Sequence, residues 1–192
     1  MAHPQGKTAK PARDRILETA SRLFYQEGLR ATGIDRIIAE SGVAKMSFYR
    51  HFPSKTDLIV AFLNARHQRW MSWFKGEVDR RIDSEGRLDV IAEVLEEWFQ
   101  QPDFRGCAFI NTVAESGSSS SREREIAVQH KAELADYLET VARKLGLPEP
   151  AAMAEDMMVI IEGTIVRRQM TGDRRVTWAC HRLIQAISRP YT

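Results

Sequence analysis

The sequence predicts an all-α fold of about nine helices, with a three-helix head at the N-terminus and a helical bundle as the C-terminal body. Apolar residues recur at intervals of three and four along most of the chain, and neither sustained period-two alternation nor an Asn-Gly hairpin signal occurs. Glycine and proline separate these apolar stripes, as at Gly28, Gly42, Pro53, Gly86 and Gly172. Such punctuated helical spacing is typical of short helices packed around one or two cores.

The charge distribution separates the head from the body. Residues 1–55 hold ten Lys and Arg against five Asp and Glu, whereas the formal net charge of the whole chain is only +2. This asymmetry is expected where only the head meets a polyanion, although a solvated basic tail would give the same balance. The expected divisions are a disordered basic arm (1–10), a helix-turn-helix head (11–55) and the body (56–192).

Composition and motifs argue against several other classes of protein. No run of about 18 apolar residues occurs and residues 1–10 lack the apolar stretch of a secretory signal, so we expect no membrane segment. Cys107 and Cys180 stand in no paired motif, which favours a reducing cytoplasm. Neither a glycine-rich phosphate loop, a zinc-binding histidine pair nor a nucleophile elbow is present. We therefore expect no enzyme, no metal and no cofactor.

The head has the order and spacing of a helix-turn-helix. Residues 32–35, Thr-Gly-Ile-Asp, indicate a capping box that opens a short second helix. Residues 41–43 make a tight turn in which Gly42 permits a positive φ. A third helix follows over about residues 44–51, and a second capping box at 54–57 opens a fourth. A third helix with polar and cationic side chains fits the major groove of DNA.

These motifs resemble the DNA-binding head of the tetracycline-repressor (TetR) family. The resemblance covers about residues 12–60 and rests on the run from Ile34 to Lys55, IDRIIAESGVAKMSFYRHFPSK, with Ala20, Leu23, Phe24 and Gly28 before it. It implies a sequence-specific DNA-binding transcriptional regulator, usually a repressor, that binds a palindromic operator as a homodimer and responds to a small ligand. A helical adaptor that docks only protein is the alternative function.

Base contacts are expected from the start of the third helix. There Lys45 can donate to guanine, Ser47 can serve as donor or acceptor, and Met46 can contact a thymine methyl group. Arg50 could reach either a base or a phosphate.

Phosphate contacts are implied mainly by the resemblance. Tyr49 and His51 match the Tyr-X-His-Phe element of the family, and Lys55 joins them from the fourth helix. Thr32, with the free amides at the start of the second helix, is placed for another phosphate. Tyr49 and His51 could instead pack inside the head, and Lys55 could be a solvated charge. The predicted head core comprises Phe24, Ile38, Val43, Phe48 and Phe52.

The body holds the candidates for sensing. The residues expected to bind a small apolar or aromatic effector are Trp70, Trp73, Trp98 and Phe109, although each could be ordinary core. The fourth helix, expected over residues 55–81, joins head to body and could transmit a change between them. Cys107 follows Gly106 in an apolar segment and is a possible sensor thiol. No Lys, His or second Cys stands beside it to activate it, although Arg105 is near in sequence, so a buried unreactive thiol is favoured.

The last two helices, expected at about 151–170 and 174–188, carry more apolar residues than one face requires. At 157–161 these residues surround the helix almost completely, and Gly163 would permit close helix approach. We expect a four-helix interface with a second copy of the chain, unless the surplus is buried within one body. The predicted interface residues are Met157, Ile161, Ile165, Leu183 and Ile187.

Overall fold

The computed structural model describes residues 10–116 and 121–188, and within these ranges the chain forms nine helices and no strand. The all-α prediction is confirmed. The helices are α1 (Ala12–Glu27), α2 (Ile34–Ser41), α3 (Lys45–His51), α4 (Lys55–Glu85), α5 (Val90–Phe99), α6 (Ala108–Glu115), α7 (Arg122–Lys144), α8 (Pro150–Thr171) and α9 (Arg175–Ile187). The predicted basic arm, apart from Lys10, lies outside the described residues.

The helix ends lie where local chemistry favours them. The Ser54 hydroxyl accepts from the backbone amide of Asp57 at 3.1 Å, which confirms the capping box at the start of α4. The turn after α2 has Gly42 at φ 63°, as predicted. The capping box predicted at Thr32 is wrong, because Gly33 is the N-cap of α2 and no side chain caps it. Thr32 is fully buried, and its hydroxyl donates to the Gly28 carbonyl at 2.8 Å.

The chain divides into two compact units, and the first ends at Phe62. It contains α1, α2, α3 and the first two turns of α4, so it extends beyond the head boundary predicted at residue 55. The reason is that Leu58 and Phe62 of α4 are buried, with the Phe62 ring centroid 5.7 Å from that of Phe24. Of the predicted core residues only Ile38 is half-buried. The core comprises Ile16, Ala20, Leu23, Phe24, Ile37, Val43, Phe48, Phe52, Leu58 and Phe62.

The second unit begins at Leu63 and contains the rest of α4 and the helices α5 to α9. In this unit α7 packs against α6 and α8, and α9 packs against α5 and α8. The Tyr137 hydroxyl of α7 donates to the Asp79 carboxylate of α4 at 2.9 Å. None of the described helices is both long and apolar enough to cross a membrane.

The structure corrects the predicted dimer interface. Met157, Ile161 and Ile165 are at most 2% exposed in a single chain, so they cannot contact a second copy. They face inward because α8 packs against α7 and α9. Leu183 is about half exposed and Ile187 is half-buried. The outward side of α8 carries a different stripe at helical spacing, formed by Val159, Gly163, Val166 and Met170.

Candidate nucleic-acid interface and ligand cavity

Helix α3 has one side in the core of the first unit and the other side exposed. Phe48 is fully buried, and the Phe52 ring that follows the helix lies 6.3 Å from it between centroids. Lys45 and Arg50 are exposed, and the apolar Met46 side chain is 83% exposed. An apolar side chain held so fully in solvent, beside two cations, is suited to contact a partner.

The polar side chains of this exposed side are held only loosely within the protein. The Lys45 ammonium lies 3.5 Å from the Asp35 carboxylate, and Arg50 donates to the Ser47 hydroxyl at 3.4 Å. Both distances are long for hydrogen bonds, and exposed ion pairs contribute little to stability. Lys45 and Arg50 can therefore turn to another acceptor at small cost.

The predicted phosphate-binding residues differ in their exposure. The Tyr49 ring packs edge-on against Phe48 at 5.3 Å and is still 40% exposed, so packing and a surface contact are compatible. His51 and Lys55 are half-buried. The Thr32 hydroxyl is buried and bonded to Gly28, so this side chain cannot meet a phosphate in the present structure. The uncapped start of α2 leaves only backbone amides for that role.

Ion pairs fix α2 against α1. Arg36 donates to Glu40 at 2.7 Å and to Glu27 at 2.8 Å, and Arg22 also pairs with Glu40. Hydrogen bonds from Arg36 and Arg22 hold the pKa of the Glu40 carboxyl below its ordinary value. Arg22 and Arg36 therefore have close carboxylate partners within the head, whereas Lys45 of α3 lies 3.5 Å from its carboxylate partner Asp35.

A small cavity in the second unit brings together three of the four predicted effector residues. It is lined by Arg66, Trp70, Trp98, Cys107, Ala108, Phe109, His130, Lys131, Leu134 and Ile165. Trp73 does not line it, although its ring lies 6.5 Å from that of Trp70. The cavity volume of about 10 Å³ is close to the room that one water molecule needs. Sequence reasoning missed Arg66, His130, Lys131 and Ile165, since no local motif marks them and only the packed helices bring them together.

The cavity contains polar groups as well as aromatic rings. The Trp70 indole nitrogen is buried and has no hydrogen-bond partner. The Nδ1 atoms of His130 and His67 lie 3.0 Å apart, and Nε2 of His67 lies 3.1 Å from the Glu133 carboxylate. Burial lowers the pKa of His130 to about 3, and Lys131 and His67 shift it in the same direction. The His130 ring is therefore neutral at physiological pH.

Cys107 is buried and shares this cavity with His130 and Lys131. His130 and Lys131 come from α7, so the residues around Cys107 in the sequence do not indicate that these two lie near it. Among the described residues no cluster of His, Cys, Asp and Glu is arranged to hold a metal ion.

The partly exposed α3 of a compact helical head, which a second helical unit follows in the chain, defines a helix-turn-helix DNA-binding protein. The family model for bacterial regulatory proteins of the TetR family matches residues 16–62. The transcriptional regulator LmrA of Bacillus subtilis is 30% identical over 159 residues, covering 81% of this chain and 85% of LmrA. A TetR-family regulator from Streptomyces coelicolor has a similar structure, with a TM-score of 0.80, 27% identity, and coverage of 93% of this chain and 96% of that one.

The chain belongs to the TetR family of bacterial regulatory proteins and is a DNA-binding transcriptional regulator. Its relatives are regulators and not enzymes. The alternative of a helical adaptor without DNA binding is therefore set aside.

Proposed function

We propose that this regulator is a ligand-responsive repressor that binds a palindromic operator as a homodimer. The exposed side of α3 carries the proposal. Lys45, Met46 and Ser47 lie in its first turn, and this end of a recognition helix is the part that meets base edges in the major groove. Arg50, one turn further on, reaches either a base or a phosphate.

The proposed phosphate contacts surround this helix. Tyr49, His51 and Lys55 supply side-chain donors, and the uncapped amides at the start of α2 supply backbone donors in place of the Thr32 hydroxyl. These contacts fix the position of the head on DNA without reading the sequence.

The proposed dimer interface is the outward side of α8 and α9. Val159 is 72%, Met170 79% and Leu183 52% exposed, which is unusual for large apolar side chains. Val159, Gly163 and Leu183 line one groove of about 530 Å³, and Gly163 leaves open space where a side chain would stand. Side chains of an identical α8 fit such a groove in a two-fold arrangement. Because the two heads of a two-fold dimer are related by rotation, they bind two half-sites of opposite direction. The operator is therefore expected to be palindromic.

The proposed ligand response starts at the cavity of the second unit. Its aromatic lining suits an apolar or aromatic effector, and one of its walls is α4, whose first turns belong to the DNA-binding head. An effector that binds one conformation of the second unit more tightly shifts the population toward it. Coupling of about 1–3 kcal/mol would weaken operator binding roughly 5- to 150-fold.

The proposed DNA contacts are tested on a site selected from a random duplex pool. Lys45→Ala should lose about 1–3 kcal/mol on that site and change the preferred bases, because a base contact carries sequence information. Lys55→Ala should weaken selected and random DNA alike and lower the salt slope by about one unit. Fluorescence anisotropy over a salt series measures both effects.

The matched control for these variants is Arg143→Ala, which removes one exposed positive charge from α7 of the second unit. It should leave both affinities unchanged. Equal losses on selected and random DNA for Lys45→Ala would refute its role in base reading. In vitro transcription from a promoter that contains the selected site tests repression, and an increase in transcript would show an activator instead.

A further inference from the structure

The polar groups of the cavity define the chemistry that an occupant must have. The Trp70 indole N–H is a buried donor without an acceptor, and such a group is unfavourable until an acceptor reaches it. The Trp70 ring is otherwise tightly placed, stacked on Phe74 at 4.7 Å and edge-on to Trp98 at 5.5 Å. A ligand that offers an oxygen to this N–H thus gains a hydrogen bond without rearranging the indole.

The histidine pair supplies the complementary group. The Nδ1 atoms of His67 and His130 face each other at 3.0 Å, so a hydrogen bond between them needs one donor and one acceptor. A neutral His130 that donates from Nδ1 has its Nε2 left as an acceptor. His130 is 3% exposed and lines the cavity. The Trp70 and His130 ring centroids lie 5.6 Å apart, so one ligand can contact both rings.

The surrounding charges favour a neutral occupant. Lys131 is paired with Glu162 at 3.1 Å, and Arg66 already has an interaction within the protein. The rest of the wall is apolar, with Trp98, Phe109, Leu134 and Ile165. An anion would lose its hydration here without gaining an unpaired cation.

The Phe109 side chain occupies the space that a ligand ring would need. Its ring lies parallel to the His130 imidazole, with centroids 3.7 Å apart and an interplanar angle of 14°. The cavity of about 10 Å³ is too small for a benzene ring, so an aromatic ligand has to displace a side chain. Phe109, in the first turn of the short helix α6, already occupies the flat space over the imidazole.

We propose that the effector is a neutral aromatic molecule bearing a hydroxyl group. Its oxygen accepts from the Trp70 N–H and donates to Nε2 of His130, and its ring lies in the space that the displaced Phe109 ring leaves, tilted from the stacked orientation so that the hydroxyl lies near the imidazole plane. A hydroxyl group is a donor and an acceptor at once, which a methyl, a carbonyl or a carboxylate is not. The inference rests on the proposed ligand response and specifies the chemical class of the ligand.

The test is calorimetric titration of the full chain with phenol, toluene and benzoate. Phenol and toluene have nearly the same shape, and toluene carries a methyl group where phenol carries the hydroxyl group. In Trp70→Phe, which keeps an aromatic ring and loses the N–H, phenol binding should weaken about 3- to 10-fold relative to toluene binding. Trp73→Phe is the matched control, since Trp73 does not line the cavity, and it should leave this ratio unchanged.

A second variant tests the position of the ring independently. Phe109→Ala should strengthen binding of both phenol and toluene at least 10-fold, because it vacates the space over His130. The inference is overturned if phenol binds neither the native protein nor Phe109→Ala, or if benzoate binds more tightly than phenol. Anisotropy with the selected DNA separates the two proposals. Phenol that binds through Trp70 without releasing DNA refutes the ligand response and leaves the cavity chemistry standing.

Discussion

His130 illustrates how one buried residue makes folding depend on pH. Burial lowers its pKa to about 3 in the folded chain, whereas a histidine in an unfolded chain takes up a proton near pH 6.5. Below that pH the unfolded state binds a proton that the folded state does not. Acidification therefore lowers the free energy of unfolding, and the loss accumulates from about pH 6.5 down to about pH 3.

We expect the free energy of unfolding of the second unit to fall by about 2 kcal/mol between about pH 7.5 and about pH 5. This range lies above the titration of most carboxyl groups. His130→Gln should remove most of the loss, because its amide does not titrate. Urea titration followed by tryptophan fluorescence measures it, since all four tryptophans belong to the second unit. His51→Gln, in the first unit, is the control and should keep the pH dependence of the unfolding free energy. If it lost as much of that dependence as His130→Gln, the effect would not come from His130.

At the level of elements, the α5–α6 connection depends on a missing side chain. Gly106 has φ 80°, and a Cβ built on it would overlap the Gln169 amide of α8. Gln169 donates to the Asn111 side chain at 3.2 Å, and Asn111 donates to the Arg105 carbonyl at 2.9 Å. The absence of a side chain at Gly106 thus leaves room for the Gln169 amide of α8.

Gly106→Ala should lower the free energy of unfolding by about 2–3 kcal/mol: left-handed strain of about 1–2 kcal/mol, and a packing component of about 1 kcal/mol because the Gln169 amide must turn away and lose its hydrogen bond to Asn111. Gly86→Ala is the matched control. Gly86 has a similar φ of 64° but open space around it, so only the strain of about 1–2 kcal/mol applies. When Gln169→Ala is already present, Gly106→Ala should no longer show the packing component of its loss in unfolding free energy, because the overlapping side chain is gone. Equal losses for the two glycine variants in urea titration would contradict this account.

At the level of the whole molecule, the exposed side of α8 and α9 sets the proposed state of assembly. Val159→Glu and Leu183→Glu place charges in the groove, so the protein should become monomeric and lose specific DNA binding. Light scattering coupled to gel filtration measures the mass. Val128→Glu, at a 59% exposed apolar position of α7, is the control and should remain dimeric. A monomeric native protein at micromolar concentration would refute the interface.

The two units differed in how well the sequence predicted them. The head was predicted in detail because its turn, caps and exposed residues are contiguous between Ile34 and Lys55. Thr32 was the exception, since a hydroxyl can cap a helix or bond a nearby carbonyl and only packing decides which. In the body, aromatic content indicated Trp70, Trp98 and Phe109. His130 and Ile165 join them through tertiary packing that no local motif encodes.

The interface illustrates the same limit. The many apolar residues around α8 indicated that more than one of its sides is in contact with another helix. They did not indicate which of these sides packs against α7. Met157, Ile161 and Ile165 share that inner side, whereas Val159 and Met170 lie on the other. Helical periodicity fixes the angles between residues and leaves the rotation of the helix about its axis open.

The near-closure of the cavity has a kinetic consequence. Any molecule larger than water can enter its volume of about 10 Å³ only after a lining side chain has moved. Association is then gated: at low ligand concentration the observed rate rises linearly, and at high concentration it levels off at the frequency with which the gate opens. Truncation at Phe109 would remove that plateau. The delay before the regulator responds to a sudden dose of effector would then be set by a ring motion inside the protein, and not by diffusion.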